Sequence, residues 1–308
     1  MRVFVTGADG FVGQYLMPSL ESEGHSVGGC DRNTIDIRDA TALKRGLADF
    51  SPDAVVHLAA ISFIPGAAAE PELTEQINIG GTRNLVDGML AVCPHARLLQ
   101  VGSSEQYPST DVSAPALSEE APLTGTGAYA ESKTAAEHVV LQGAEAGLDV
   151  IRVRAFNHTG PRQPPHFVVP GFTRQVALIE AGSTPRMQVG NLESVRDFLH
   201  VQDVVKAYIR LLDPSVPPGA YNVASGQGTR IGEVLDILLE MSRVPVAVDE
   251  DPQKWRQADS RVGDNLKLRQ NTGWQPSHSV QAIVTELLAY WRETIARDER
   301  TASPEEPT

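Results

Sequence analysis

The chain has 308 residues, 41% of them hydrophobic, enough for one large α/β domain or two unequal ones around a real core. A formal net charge of −13 excludes a nucleic-acid surface and leaves any anionic ligand to locally placed arginines. Only Cys30 and Cys93 are present and no apolar run approaches the roughly 20 residues that span a bilayer, so the reading is a cytoplasmic protein without a disulfide framework, a membrane anchor or a metal site.

The apolar run Val3–Thr6 leads directly into Gly7-Ala8-Asp9-Gly10-Phe11-Val12-Gly13, which predicts a strand, a tight turn and a helix from Phe11. Glycines in such a turn let backbone approach a pyrophosphate, which the N–H groups and positive dipole end of the helix then hold. Gly7, Gly10, Phe11, Val12 and Gly13 are therefore assigned to a dinucleotide. The second strand, Ser26–Cys30, is followed by Asp31 and Arg32. An acid about 20 residues past the glycine turn accepts from the ribose hydroxyls and favours NAD, whereas an arginine beside it can neutralise the extra phosphate of NADP; the alternative for Asp31 is a loop-starting cap. Asp36 and Ile37 would lie beside the adenine.

A helix from Asp39 and a strand Ala54–Leu58 come next, and His57-Leu58-Ala59-Ala60 ends that strand with residues small enough to lie against the pyrophosphate. His57 reads as structural. One long helix is expected over Leu73–Met89, then a strand Leu98–Ser103. Ser103 and Ser104 sit at a strand end near the expected crevice, where a hydroxyl can hydrogen-bond a carbonyl oxygen. Glu105 is a general acid or base, a partner for a sugar hydroxyl, or a solvated turn residue. Tyr129 and Lys133, four residues apart, share one helix face, where the ammonium can favour the phenolate and make the phenol a proton donor or acceptor near neutral pH. Either motif alone is weak; in this order they point to a nicotinamide enzyme.

A strand Val150–Arg154 follows, and Pro161, Pro164, Pro165 and Pro170 then break the alternating rhythm. The remainder predicts a helix near Gly171–Glu180, strands Met187–Val189 and Ala220–Val223, and helices from Gln202, over Ile231–Met241 and over Val280–Ile295. The predicted organisation is a Rossmann-type doubly wound parallel sheet over 1–160, a smaller C-terminal α/β substrate-binding lobe over 161–297 with late strands interleaved into the main sheet, and a disordered tail over 298–308.

Thr6-Gly7 through Gly13, His57 to Ala60, Asn78 before Gly81-Thr82, Ser103, Tyr129 and Lys133 together resemble the extended short-chain dehydrogenase/reductases, nucleotide-sugar branch. Arg154 to Pro161, His166 to Pro170, Val189 to Phe198 and Asp251 to Asp259 look most like GDP-6-deoxy-D-mannose reductases. The resemblance implies that NADPH or NADH gives a hydride to C4 of GDP-4-keto-6-deoxy-D-mannose while Tyr129 delivers the proton, yielding GDP-D-rhamnose in a homodimer. It adds Asn78, Tyr129 and Lys133 to the cofactor contacts. Arg196 and Arg256 offer forked donors for a diphosphate, the alternative for either being a surface ion pair; Asn157 offers an amide for sugar or diphosphate; and Phe167, Val168 and Val169 form an apolar wall or, equally, pack in a core, with Ser104 and Glu105 on the sugar. Rival readings are a GDP-mannose 4,6-dehydratase, which also carries Ser-Glu at 104–105, a C4 epimerase, and a cofactor sensor without chemistry.

Overall fold

The structure, a computed structural model, describes residues 1–251 and 257–302. In chain order its elements are β1 (Arg2–Thr6), α1 (Gly13–Ser22), β2 (Ser26–Cys30), α2 (Ala40–Phe50), β3 (Ala54–His57), α3 (Ile64–Ala69), α4 (Pro71–Glu75), a π-helical turn (Gln76–Gly81), α5 (Thr82–Val92), β4 (Arg97–Ser103), a 3₁₀ turn (Ser104–Gln106) and α6 (Ala128–Glu145). There follow β5 (Val150–Ala155), β6 (Asn157–Thr159), α7 (Val168–Glu180), β7 (Arg186–Val189), β8 (Val195–His200), α8 (Val201–Leu211), β9 (Gly219–Val223), β10 (Gly228–Arg230), α9 (Ile231–Glu240), β11 (Ala247–Glu250), β12 (Ser260–Arg261), α10 (Leu266–Thr272) and α11 (Val280–Ala302).

Six strands form one parallel sheet in the order β2-β1-β3-β4-β5-β9. Strand side chains alternate between faces. Val3 and Val5 enter a core with Leu16 and Leu20 of α1 and Val204 and Tyr208 of α8, while Phe4 enters another with Leu43 and Leu47 of α2 and Leu85 of α5. Helices thus cover both faces, and the chain switches direction along the sheet between β1 and β3, where the carboxyl ends of strands leave a crevice. β9 joins this sheet from far along the chain, beside β5.

The other strands are short. β8 pairs with β10, β12 and β6, β7 pairs with β11, and α7, α9 and α11 pack a separate core around Phe172, Leu235 and Leu287. Local signals set several boundaries: Asp39 caps α2 by accepting from Thr41 N and Ala42 N, as a residue with a short acceptor should. Two expectations need correction. The long helix over Leu73–Met89 is α4, a π turn and α5, and residues 298–302 of the expected tail continue α11; residues 303–308 lie outside the described residues. β6, β8, β10, β11 and β12 had no sequence expectation; β6, β10 and β12, of two or three residues, carry too few alternations to register.

Candidate active site

Gly7, in the left-handed region at φ 73°, lies so close to β3 that a Cβ there would sit 2.8 Å from Ala59 N. A Cβ on Gly13 would fall 2.4 Å from Ala8 O. Leu58 N donates to Thr6 O, and Ala59 N to Thr6 Oγ1, which presses the ends of β1 and β3 into one backbone floor. No side chain caps α1, so its positive end faces the cleft beside Gly10 and Phe11. Glycines that only backbone can approach and an uncapped helix start fit a pyrophosphate, and with it a dinucleotide. Phe11 stacks on His158 at 6.2 Å, and Val12 packs against the core.

Asp31 makes the capping contacts weighed for it. Its Oδ1 accepts from Asn33 N at 2.7 Å and Thr34 N at 3.1 Å, the capping role; Arg32 beside it is exposed. Asp36 is held by a forked contact from Arg38, whose hydrogen bonds keep its carboxyl below the usual range. Ile37 is buried and fills the space above Gly81, where a Cβ would meet its Cδ1.

His57 is structural, as expected. It bridges Thr6 Oγ1 (2.7 Å) and Thr82 Oγ1 (2.9 Å), and burial next to Lys133 pushes its pKa down to about 3. Asn78 sits in the π turn, buried, with Oδ1 accepting from Ile61 N and Nδ2 donating to Ile61 O and Ser132 Oγ. Ser132 Oγ in turn donates to Tyr129 O. Asn78 therefore ties the loop after β3 to the helix that carries the phenol.

Ser103 ends β4, Tyr129 and Lys133 lie on α6, and all three are under one-tenth exposed. Burial pushes the Tyr129 phenol up to about 12; Ser103 hydrogen bonding pulls against this and the Glu105 charge adds to it. Burial pushes Lys133 down to about 8, and its Nζ donates to Val101 O at 2.9 Å. The expectation that Lys133 lowers the phenol pKa is corrected here: the ammonium is spent on a backbone carbonyl, and desolvation dominates.

Below the serine a buried network locks the strand to the helix. Ser103 N donates to Gln106 Oε1, Gln106 Nε2 to Glu137 Oε2 at 2.7 Å, and Arg154 grips Glu137 at 2.8 Å. Arg154 also donates to Tyr107 OH, and Tyr107 to Asn222 Oδ1. Burial works against charge on Glu137, but Arg154, Gln106 and Arg152 hold its carboxyl below the usual range. No sequence signal marked Gln106, Glu137 or Arg154 for this role, since their partners come from different elements.

The second lobe treats its assigned residues unevenly. Asn157 starts β6 with Oδ1 buried and without a hydrogen-bond partner among the described residues. Phe167 meets Phe63 and His166 in an aromatic cluster, Val168 is exposed, and Val169 belongs to the lobe's core, so Phe167 and Val168, joined by Phe63, are the residues left for the expected wall. Ser104 is buried in the 3₁₀ turn. Arg196 on β8 pairs with Asp259 at 2.7 Å, and Glu105 pairs with Arg261 at 3.1 Å, an arginine the sequence reading passed over. Arg256 lies outside the described residues.

The sequence profile of the GDP-mannose 4,6 dehydratase family matches residues 33–287. The chain is 35% identical to the GDP-6-deoxy-D-mannose reductase of Pseudomonas aeruginosa, with 96% of this chain and 99% of the relative covered. Its fold is similar to a solved structure of RMD from Pseudomonas aeruginosa complexed with NADPH, at 33% identity and a TM-score of 0.87 over 95% of this chain and 99% of that one. It is also similar to the Thermus thermophilus UDP-glucose 4-epimerase in complex with NAD, at 27% identity and a TM-score of 0.84, covering 95% and 99%.

Proposed function

Because this chain belongs to the GDP-mannose 4,6 dehydratase family, we propose that it is an NAD(P)H-dependent reductase that turns the C4 ketone of GDP-4-keto-6-deoxy-D-mannose into the alcohol of GDP-D-rhamnose. The relative named for that substrate covers nearly the whole chain, which sets this reading above the dehydratase activity in the family's own name. NADPH or NADH, when bound, supplies the hydride. The pyrophosphate rests on Gly7, Gly10 and Gly13 at the start of α1, with Asp31 or Arg32 at the ribose, Asp36 and Ile37 at the adenine, and Leu58, Ala59 and Ala60 as floor.

The observation that carries the chemistry is the convergence of three buried groups, the Ser103 hydroxyl at the end of β4, which hydrogen-bonds the phenol, and Tyr129 with Lys133 on α6. A group that must deliver a proton to an oxygen gaining charge has to hold that proton beforehand. Ser103 steadies the same oxygen, and Lys133, through its bond to Val101 O, fixes the α6 side of the cleft while presenting a positive charge. Glu105 and Ser104 meet the sugar, Asn157 offers its unpartnered acceptor to a hydroxyl, and Arg196 with Arg256 takes the diphosphate; Arg196 reaches it by sharing the bonds it now makes to Asp259.

On this reading the protein works in the cytoplasm as a homodimer. Both cysteines are free and buried, which suits a reducing compartment, and the outward residues of α5 and α6 carry both signs of charge, Arg83 and Asp87 against Glu131, so the same face can pair with itself about a two-fold axis.

The test is to mix the protein with enzymatically made GDP-4-keto-6-deoxy-D-mannose, follow NADPH and NADH absorbance separately and identify the sugar by NMR. Cofactor oxidation with GDP-D-rhamnose as product is expected. Tyr129→Phe should cut kcat by roughly 10²- to 10⁴-fold, the usual range for a lost proton donor, with little loss of NADPH affinity. Conversion of GDP-mannose to a keto sugar instead would make the chain a dehydratase, and inactivity toward both would point to another nucleotide sugar or to a sensor.

A further inference from the structure

β8 and β12 run parallel with Arg196 opposite Arg261, so two guanidinium groups stand side by side at the edge of the cleft. Like charges in that relation repel unless acids separate them. Asp259 is one such acid: Oδ1 takes Arg196 Nη2 at 2.7 Å, and Oδ2 takes Arg261 Nη1 at 3.4 Å and Ser109 Oγ at 3.0 Å. Burial opposes its charge, yet Arg196, Ser109 and Arg261 keep its carboxyl below the usual range.

Arg261 then reaches beyond Asp259. Nη1 also donates to Glu105 Oε1 at 3.1 Å and Nη2 to Ser109 Oγ at 2.9 Å, contacts that span 156 and 152 residues of chain. The backbone holds the same two segments together, since Thr110 N donates to Ser260 O and Ser260 N to Thr110 O. Arg261 is 8% exposed and its Nε is buried without a partner among the described residues, while its fork is fixed by the acids and the serine. A planar fork anchored at three points holds a carboxylate in one direction, which a flexible lysine does not. The carboxylate held here is the one whose charge reaches Tyr129. With Oε1 engaged, Oε2 is the oxygen left for a donor in the cleft.

We propose that Arg261 is a positioning residue, which aims Glu105 so that its second carboxylate oxygen accepts a hydroxyl of the hexose while the ketone lies at Tyr129. This rests on the reductase reading. Arg261 acts through Glu105 and touches neither sugar nor cofactor itself.

A double-mutant cycle tests it, with kcat, KM, NADPH affinity and melting temperature measured for Arg261→Gln, Glu105→Gln, the double variant and Arg261→Lys. Each single Gln variant should lower kcat/KM by about 10- to 100-fold, the worth of a hydrogen bond to a charged group. NADPH affinity should stay constant. The double variant should fall no further than Glu105→Gln alone, and Arg261→Lys should recover part of the loss. Losses that multiply in the double variant, or a lower melting temperature with kcat/KM unchanged, overturn the proposal. A wild-type protein that binds NADPH and melts cooperatively but leaves the ketone untouched sinks the reductase reading, and this inference with it, before any variant is compared.

Discussion

The turn after β1 shapes its wall of the cleft with backbone alone, whereas the seam between β8 and β12 shapes the opposite wall with charged side chains: Arg196, Asp259, Arg261 and, across from them, Glu105. A backbone wall has one arrangement, fixed by sterics, and a single added carbon spoils it. A side-chain wall needs each charge answered by another, so its parts stand or fall in pairs, and it can be altered one residue at a time. One molecule thus holds a rigid half suited to an invariant ligand and an adjustable half suited to a variable one.

Breaking a pair inside the side-chain construction should have the largest effect. Glu137→Ala removes the acid from under Gln106, Arg152 and Arg154, leaves a buried guanidinium without its partner, and should cost about 3–5 kcal/mol in urea unfolding. A loss below 1 kcal/mol would mean that water replaces the carboxylate and that the network is not the lock it looks to be.

Gly13→Ala tests the backbone wall. Its Cβ would press on Ala8 O at 2.4 Å and Gly7 O at 2.6 Å, so the turn must open. Overpacking of this kind costs about 1–3 kcal/mol, and if the strain falls on the bound state, NADPH affinity drops roughly 10- to 100-fold by fluorescence titration. Unchanged affinity would show that the turn is not the pyrophosphate floor.

The smallest effect separates the seam from its foundation. Asp197, beside Arg196 on β8, accepts from Ser225 N, Ser225 Oγ, Gly226 N and Gly263 N, and burial pushes its pKa up to about 6 despite these bonds. A carboxyl whose folded pKa is raised contributes stability that is present below its unfolded value near 3.8 and is lost as pH rises through about 6. The melting temperature of wild type relative to Asp197→Asn should therefore fall between pH 4 and 6 and stay level above 7. A difference independent of pH would place the ionisation elsewhere.

The same contrast governs what could be read beforehand. Gly7, Gly13, Ser103, Tyr129 and Lys133 were legible because their geometry is local or depends on one strand end and one helix face. His57 was read as structural for the same reason, sitting at the floor of a strand. Arg261 was passed over, and the choice between wall and core was left open for Val169, because one pairs with a residue 156 positions away and the other faces a core formed by three helices. The phenol pKa was read in the wrong direction: helix spacing places Lys133 near Tyr129, but spacing says nothing of how deeply both are buried or of the carbonyl of Val101 that takes the ammonium.

The π turn over Gln76–Gly81 gives α4 and α5 different phases about a common axis. A π turn holds one residue more than the α-helical path between the same ends, and each residue is worth about 100° of rotation. Losing that residue would turn Asn78 away from Ile61 and Ser132 and, in the same motion, swing Arg83 and Asp87 around the outside of α5. The inner tether and the outer face are geared together, so a lineage that keeps the one inherits the orientation of the other.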